Sequence, residues 1–142
     1  MINSHEKTAA VRDSSKRQTL RDRLVTRLRN SKHLLLIIGD TTKNDIDWVP
    51  FEISYAIDDC EIPVIAVYTD YEYILNPASH ENEWPVALKS RIKDQSARVI
   101  HIPFKKEPIS AAIEQFDVET KPKSGLSHYT RDCYIKWGLI NE

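Results

Sequence analysis

The sequence is short of several features that particular functions require. It has only three glycines in 142 residues, which excludes a glycine-rich loop as its main means of binding phosphate. A formal net charge of −1 gives none of the basic excess that a nucleic-acid groove needs. No run of about 18 apolar residues occurs, so no membrane-spanning helix is predicted. The remaining composition, 41% hydrophobic and 29% charged, is typical of one compact globular domain.

Cysteine and histidine are too scattered to predict a disulfide or a metal site. Cys60 and Cys133 lie far apart and outside any metal-type spacing such as CxxC. The five histidines share no ligand spacing; they are His5, His33, His80, His101 and His128. The polar N-terminus has no apolar segment of the signal-peptide kind. We therefore expect two reduced thiols, no metal and a cytoplasmic location.

Hydrophobic periodicity predicts that helices and strands alternate. Leucines recur every four residues in the first helix, whose other face carries arginines that we interpret as a solvated surface rather than a phosphate site. Residues 1–13 are expected to be irregular. Helices are expected at 14–30, 48–57, 86–92, 108–116 and 127–140. Asp47 is expected to cap the second of these helices, with Pro50 in its first turn. Strands are expected at 34–40 and 62–68, both buried on two faces. A weaker, partly alternating strand is expected at 98–104, with His101 half-buried in it.

This alternation predicts an α/β fold with a doubly wound, flavodoxin-like parallel sheet and right-handed crossovers. Such a sheet normally begins with a buried strand, and that first strand is missing here, because a polar segment and a helix come first. We assign residues 1–120 to the α/β domain. Residues 121–142 are assigned to a C-terminal helical extension that packs on the same domain.

Candidate site residues follow the first strand of the pattern. In doubly wound sheets ligands bind beyond the carboxyl ends of the strands, and here that edge carries Asp40, Thr41 and Thr42. The helix that leaves the same edge begins at Trp48 and carries Glu52 one turn further on. Taken alone, Glu52 is more simply explained as a glutamate that interacts with the helix dipole than as a catalytic group.

The stretch DWVPFEISYAI (47–57), followed by IPVIAV (62–67), resembles TIR (Toll/interleukin-1 receptor) domains. The chain is more closely similar to the TIR-like proteins of the bacterial Thoeris antiphage system, over about residues 14–70. Relatives usually carry a further segment in front, with a first strand, and the pattern here lacks it. The resemblance implies a TIR-like fold and a role in antiviral defence signalling.

In enzymatic TIR families the glutamate that opens this helix cleaves NAD⁺ between nicotinamide and ribose, and the matching residue here is Glu52. The resemblance implies that NAD⁺ is a substrate and that no cofactor is needed. It also implies a cyclic ADP-ribose-type product, a downstream effector that senses it, and self-association through TIR-like surfaces. No nucleic-acid or membrane partner is expected.

The chemistry of this cleavage fits a single carboxylate. Nicotinamide leaves from a cationic pyridinium without being protonated, so the site must mainly supply negative charge to an oxocarbenium-like ribose. Trp48 and Glu52 lie at i and i+4 and share a helix face, so the indole can form an apolar wall that raises the carboxylate pKa. Asp40, Thr41 and Thr42 offer groups that could hold ribose or diphosphate.

Two alternatives remain open on the sequence. The first is a non-catalytic TIR-like module that only assembles with other proteins, which the missing first strand favours. The second is an enzyme like the nucleoside deoxyribosyltransferases, which share this topology and use a glutamate nucleophile. The Trp-Val-x-x-Glu context fits that second alternative less well.

Overall fold

A computed structural model describes residues 4–141, with side chains from residue 15 onward. The described helices are α1 (Ser4–Arg29), α2 (Trp48–Ser54), α3 (Val86–Lys93), α4 (Lys106–Gln115) and α5 (Arg131–Lys136). The described strands are β1 (Leu34–Ile38), β2 (Val64–Tyr68), β3 (Val99–Pro103) and β4 (Ser127–His128). Short 3₁₀ turns occupy Thr42–Asn44 and Pro77–Glu83, and a π turn, Tyr55–Asp59, continues α2.

The strands form one all-parallel sheet in the order β1-β2-β3-β4. Leu34 lies opposite Val64, and Val64 lies opposite Val99, so β1, β2 and β3 begin at the same level of the sheet. This confirms the predicted α/β class with a parallel sheet. Within residues 4–141 no strand precedes β1, which is therefore an edge strand.

The core has two layers, one on each face of the sheet. On one face Leu36 and Ala66 pack with Leu28 of α1, Ile53 of α2 and Leu88 of α3. On the other face Ile65 and Val67 of β2 and Ile100 and Ile102 of β3 pack against Ala112 of α4 and Phe116, which caps that helix. Each fully buried aliphatic side chain stabilises the fold by about 1.5–3 kcal/mol relative to exposure.

The prediction that β1 is buried on both faces was wrong. Leu34, Leu36 and Ile38 are buried, but Leu35 is 41% exposed and Ile37 is 46% exposed. The reason is that α4 packs on β2 and β3, so one face of the edge strand has no helix over it. By contrast, β3 is buried along its whole length, although its sequence had suggested a weaker, alternating strand.

Helix boundaries differ from the prediction at both ends of the chain. The first helix already begins at Ser4, within the stretch expected to be irregular. The helix expected at 127–140 shortens to α5, because Ser127 and His128 pair with β3 instead. Thr130 then caps α5 by accepting a hydrogen bond from the Cys133 amide, and Gly138 follows with a φ of 75°. The division at residue 120 stays a prediction.

A buried hydrogen-bond chain ties three parts of the fold together. The Trp84 indole donates to the Tyr68 hydroxyl (2.8 Å), which in turn lies 2.7 Å from His101 Nδ1. His101 Nε2 lies 2.8 Å from the Gly125 carbonyl oxygen. Because that carbonyl only accepts, Nε2 carries the proton and Nδ1 accepts from Tyr68. His101, which the pattern predicted to be half-buried, is fully buried and neutral.

This network predicts that the protein loses stability in mild acid. Burial lowers the pKa of His101 from 6.5 to about 4. Between these pH values the unfolded chain binds the extra proton, so the free energy of unfolding should fall as the pH drops from 6.5 towards 4. The His101 contribution to that fall is roughly 3 kcal/mol. Urea unfolding of the wild-type chain and a His101→Gln variant across this range measures it.

The difference in the free energy of unfolding between the two proteins isolates the contribution of His101, because every carboxylate titrates in both. The free-energy gap between them should narrow as the pH falls, since only the wild type loses the histidine contribution. A gap that stays constant from pH 7 to pH 4 would contradict the assignment of a neutral, buried imidazole.

Candidate functional site

The helix that carries the motif starts without a side-chain cap. Asp47 occupies the predicted N-cap position, but its carboxylate makes no cap hydrogen bond and instead accepts one from Arg17 Nη2 at 3.2 Å. Pro50 lies in the first turn, as expected. Ile53 is buried in the core, so the helix is anchored by one side while Trp48 and Glu52 remain partly accessible.

The arginine face of α1 lies over an aromatic row on α2. Three guanidinium groups each sit within 6 Å of a ring centre: Arg17 over Trp48 (5.3 Å), Arg21 over Phe51 (4.9 Å) and Arg29 over Tyr55 (5.9 Å). Arg29 Nε also donates to the Tyr55 hydroxyl at 2.7 Å. Cation–π contacts of this exposed kind are worth about 0.5–1 kcal/mol each. The arginines expected to be a solvated face therefore bind α1 to α2, and we call this the arginine–aromatic interface.

Glu52 lies beside that interface with a partly desolvated carboxylate. Its side chain is 24% exposed, and Oε1 is 3.6 Å from Arg27 Nη2 on α1. Burial raises the pKa of Glu52 above its ordinary value. Arg27 opposes this rise by Coulombic attraction, and the nearby Asp45 adds to it by repulsion. The carboxylate thus sits between one positive and one negative neighbour.

A second acidic group lies where β1 and β2 end. The Asp40 side chain lies close to that of Asp70 and raises the pKa of Asp70 through hydrogen bonding and charge repulsion between the two carboxyl groups. Both residues are exposed. Parallel neighbouring strands end at the same edge of a sheet, so the loops after β1 and β2 place these two carboxyl groups together.

The two threonines of this edge have different surroundings. The Thr42 hydroxyl accepts from the Gly39 amide (2.9 Å) and donates to the Ile37 carbonyl (3.1 Å), so it closes the loop after β1. Thr41 is exposed, and its carbonyl accepts from the Asn44 amide (3.0 Å). Of the pair, Thr41 has the hydroxyl that is better placed to meet a ligand.

The loop after β2 is packed rather than open. Tyr68 belongs to β2 and is buried, while the Tyr71 hydroxyl donates to Glu83 Oε2 at 2.8 Å. His80 Nδ1 lies 2.9 Å from the same Glu83 oxygen. The hydrogen bond to Glu83 is the main reason why the pKa of Tyr71 is raised. Tyr71 is therefore held against the 3₁₀ turn Pro77–Glu83.

The predicted site residues therefore fall into two groups on one side of the sheet. Within residues 15–141, no hydrogen bond or ion pair joins Glu52 to Asp40, Thr41, Thr42 or Trp48. The sequence reasoning missed Arg27 and Asp45 as neighbours of Glu52. Asp70 follows the second strand, and its position at the same edge as Asp40 was predictable, but it was not among the candidate site residues. Arg27 had no such signal, because its role depends on how α1 crosses α2.

Metal-binding clusters and membrane-spanning helices are both absent from the part of the chain that the structure describes. Among the side chains of residues 15–141, no group of three or more His, Cys, Asp or Glu is placed to hold a metal ion. None of the helices described there is long and apolar enough to cross a membrane.

Comparison with known protein families identifies a related family. The model of the family described as "Thoeris protein ThsB, TIR-like domain" matches residues 1–74 of the 142. The matched region includes α1, β1, α2 and β2, and it therefore contains Glu52, Asp40 and their described neighbours.

The charges around Glu52 predict how its titration responds to substitution. Arg27→Gln removes the attractive charge and should raise the pKa of Glu52 further, whereas Asp45→Asn removes a repulsive charge and should lower it. Carboxyl ¹³C chemical shifts followed against pH measure both changes. Arg29→Gln is the matched control, because that arginine contacts Tyr55 instead. An Arg27→Gln protein whose Glu52 titrates unchanged or lower would refute this electrostatic description.

Proposed function

This chain belongs to the family of Thoeris ThsB TIR-like domains, and on that premise we propose that it cleaves NAD⁺, with Glu52 as the catalytic carboxylate. The family supports a role in antiphage defence. The observation that carries the proposal is the environment of Glu52, a partly desolvated carboxylate held on a short helix inside the matched region.

The proposed reaction breaks the bond between the nicotinamide nitrogen and the ribose C1′. The bonding electron pair goes to the pyridinium nitrogen, so neutral nicotinamide leaves without a proton donor. The ribose becomes oxocarbenium-like, and the negative charge of Glu52 stabilises it. Stabilisation is stronger where water is partly excluded, as it is around this side chain. Water then attacks C1′ and releases a proton, which gives ADP-ribose; attack by a nitrogen of the adenine ring gives a cyclic product.

The other candidate residues take supporting roles in this proposal. Asp40 and Thr41 are exposed at the end of β1, where their oxygens can accept or donate hydrogen bonds to ribose hydroxyl groups. Thr42 shapes the loop that carries them. Trp48 is proposed as part of the apolar wall beside Glu52. It is not proposed to stack on a substrate ring, because Arg17 already lies over its indole.

A specific observation favours the second candidate function, a non-catalytic interaction module. Arg27 lies close to the Glu52 carboxylate and partly neutralises the charge that catalysis requires. In an enzyme, the cationic nicotinamide riboside end of NAD⁺ would have to compete with this arginine for the Glu52 carboxylate. In an interaction module the same pair would simply hold α1 on α2. We also propose that the active form self-associates and that a partner effector senses the nucleotide product.

Nicotinamide release from NAD⁺ by the concentrated full chain tests the proposal. Glu52→Gln keeps the size of the side chain and removes its charge, so release should fall by about 10²–10³-fold. Glu81→Gln is the matched control, since Glu81 is also partly exposed and paired with Lys93 (2.8 Å) but lies in the 3₁₀ turn before α3. That variant should keep wild-type activity.

Two outcomes would contradict the proposal, the first its catalytic residue and the second the enzyme function itself. Release that persists in a folded Glu52→Gln protein would remove Glu52 from the mechanism. A wild-type chain that releases no nicotinamide, even in its self-associated state, would leave the interaction module as the function.

A further inference from the structure

A cleft of about 430 Å³ opens on the α4 face of the sheet, beside the C-terminal end of α4. Its lining includes the buried side chains of Ile100, from β3, and Phe116, at the end of α4. Leu126, just before β4, also lines it and is 40% exposed. Clefts that bind small molecules commonly measure about 300–1,000 Å³ and are mostly apolar. This cleft therefore has the size and the apolar surface to hold a small organic molecule.

The wall between α4 and β4 is fixed by hydrogen bonds to β3 and the residue before it. Arg98 Nη1 donates to the carbonyl oxygens of Pro122 (3.2 Å) and Lys123 (3.1 Å), and both of those residues line the cleft. The Val99 amide donates to the Ser124 carbonyl at 3.0 Å. Small-molecule sites are usually largely formed before the ligand binds, and these bonds hold this wall in place without one.

The charge of the lining is positive. Lys121 and Lys123 are the only formally charged side chains among the described residues that line the cleft. Within residues 15–141 the ion pairs of lysine involve Lys89, Lys93 and Lys105. No carboxylate of that part of the chain therefore neutralises either lysine of the cleft, and a bound anion can do so.

The acidic residues of the same segment lie outside the lining. The Asp117 carboxylate accepts hydrogen bonds from the backbone amides of Glu119 and Thr120, at 2.8 Å each. Glu119 lines a neighbouring cleft together with Arg98, and Lys121 borders both clefts. An anion beside Lys123 is thus attracted without an acidic side chain in the same lining to oppose it.

Gln115 adds an oriented polar group to the lining. The Tyr129 hydroxyl donates to Gln115 Oε1 at 2.8 Å, and both side chains line the cleft. Since the amide oxygen accepts this bond, the two N–H groups of the same amide remain as donors. They are available to an acceptor oxygen of a ligand.

From these features we propose that the cleft binds a small organic anion. Its apolar part packs against Phe116 and Leu126, and its carboxylate pairs with Lys121 and Lys123. The cleft is on the opposite face of the sheet from α2, and its lining residues lie outside the matched residues 1–74. The proposal is therefore independent of NAD⁺ cleavage.

Titration with 2-naphthoate, followed by backbone-amide NMR shifts of the full chain, tests the site. This probe joins an apolar double ring to a carboxylate, and it should bind with a Kd of about 1 mM or tighter. The shifts should be concentrated in residues 115–129. Neutral 2-naphthamide keeps the ring without the charge, and inorganic phosphate keeps a charge without the ring. Each should bind at least about threefold more weakly than naphthoate.

A double variant tests the role of the lysines. Lys121→Gln combined with Lys123→Gln should weaken naphthoate binding to the level of naphthamide and leave naphthamide binding unchanged. Lys106→Gln combined with Lys136→Gln is the matched control, because it removes the same charge from two exposed lysines outside the lining. Leu126→Ser should weaken the binding of both probes. Circular dichroism establishes that each variant is folded.

Four results would overturn the proposal. The first is naphthoate binding that does not saturate by about 10 mM. The second is a set of shifts centred outside residues 115–129. The third is naphthamide or phosphate that binds as tightly as naphthoate, which would leave a purely apolar or a purely anionic site. The fourth is a Lys121→Gln, Lys123→Gln protein that binds naphthoate as the matched control does.

Discussion

The arginine–aromatic interface between α1 and α2 is the contact on which the candidate site depends. α2 is a short helix without a side-chain cap, and its core anchor is Ile53. Guanidinium groups of α1 lie over its aromatic row, and Arg27 lies beside Glu52. One helix therefore both holds the motif in place and sets the charge environment of its carboxylate. A substitution on α1 acts on the site through position and through electrostatics.

The sheet determines which polar groups lie near that helix. β1 and β2 are parallel and end at the same level of the sheet, so the residues that follow them lie at the same edge. Asp40 therefore lies close to Asp70. The end of β1 thus supplies candidate ligand-binding residues, and the end of β2 supplies an acidic neighbour for them.

Much of the fold followed from local patterns, whereas the site's neighbours did not. Aliphatic runs predicted β1 and β2, and Pro50 marked the first turn of α2, since these signals lie within a few residues of each other. The exposure of Leu35 and Ile37 depends on where α4 packs, which periodicity does not encode. The pairing of β4 with β3 depends on backbone groups far apart in sequence. From the sequence alone Arg27 is predicted to be a solvated surface residue. Its position beside Glu52 follows only from the way α1 crosses α2.

The pH dependence of nicotinamide release, compared between the wild type and Arg27→Gln, tests the central claim most directly. If the ionised Glu52 carboxylate performs the cleavage, activity falls in acid as that group gains its proton. Removing Arg27 raises the pKa of Glu52, so the acid limb should move to higher pH in the variant. An acid limb at the same pH in both proteins would contradict the account, because the rate would then depend on a different group.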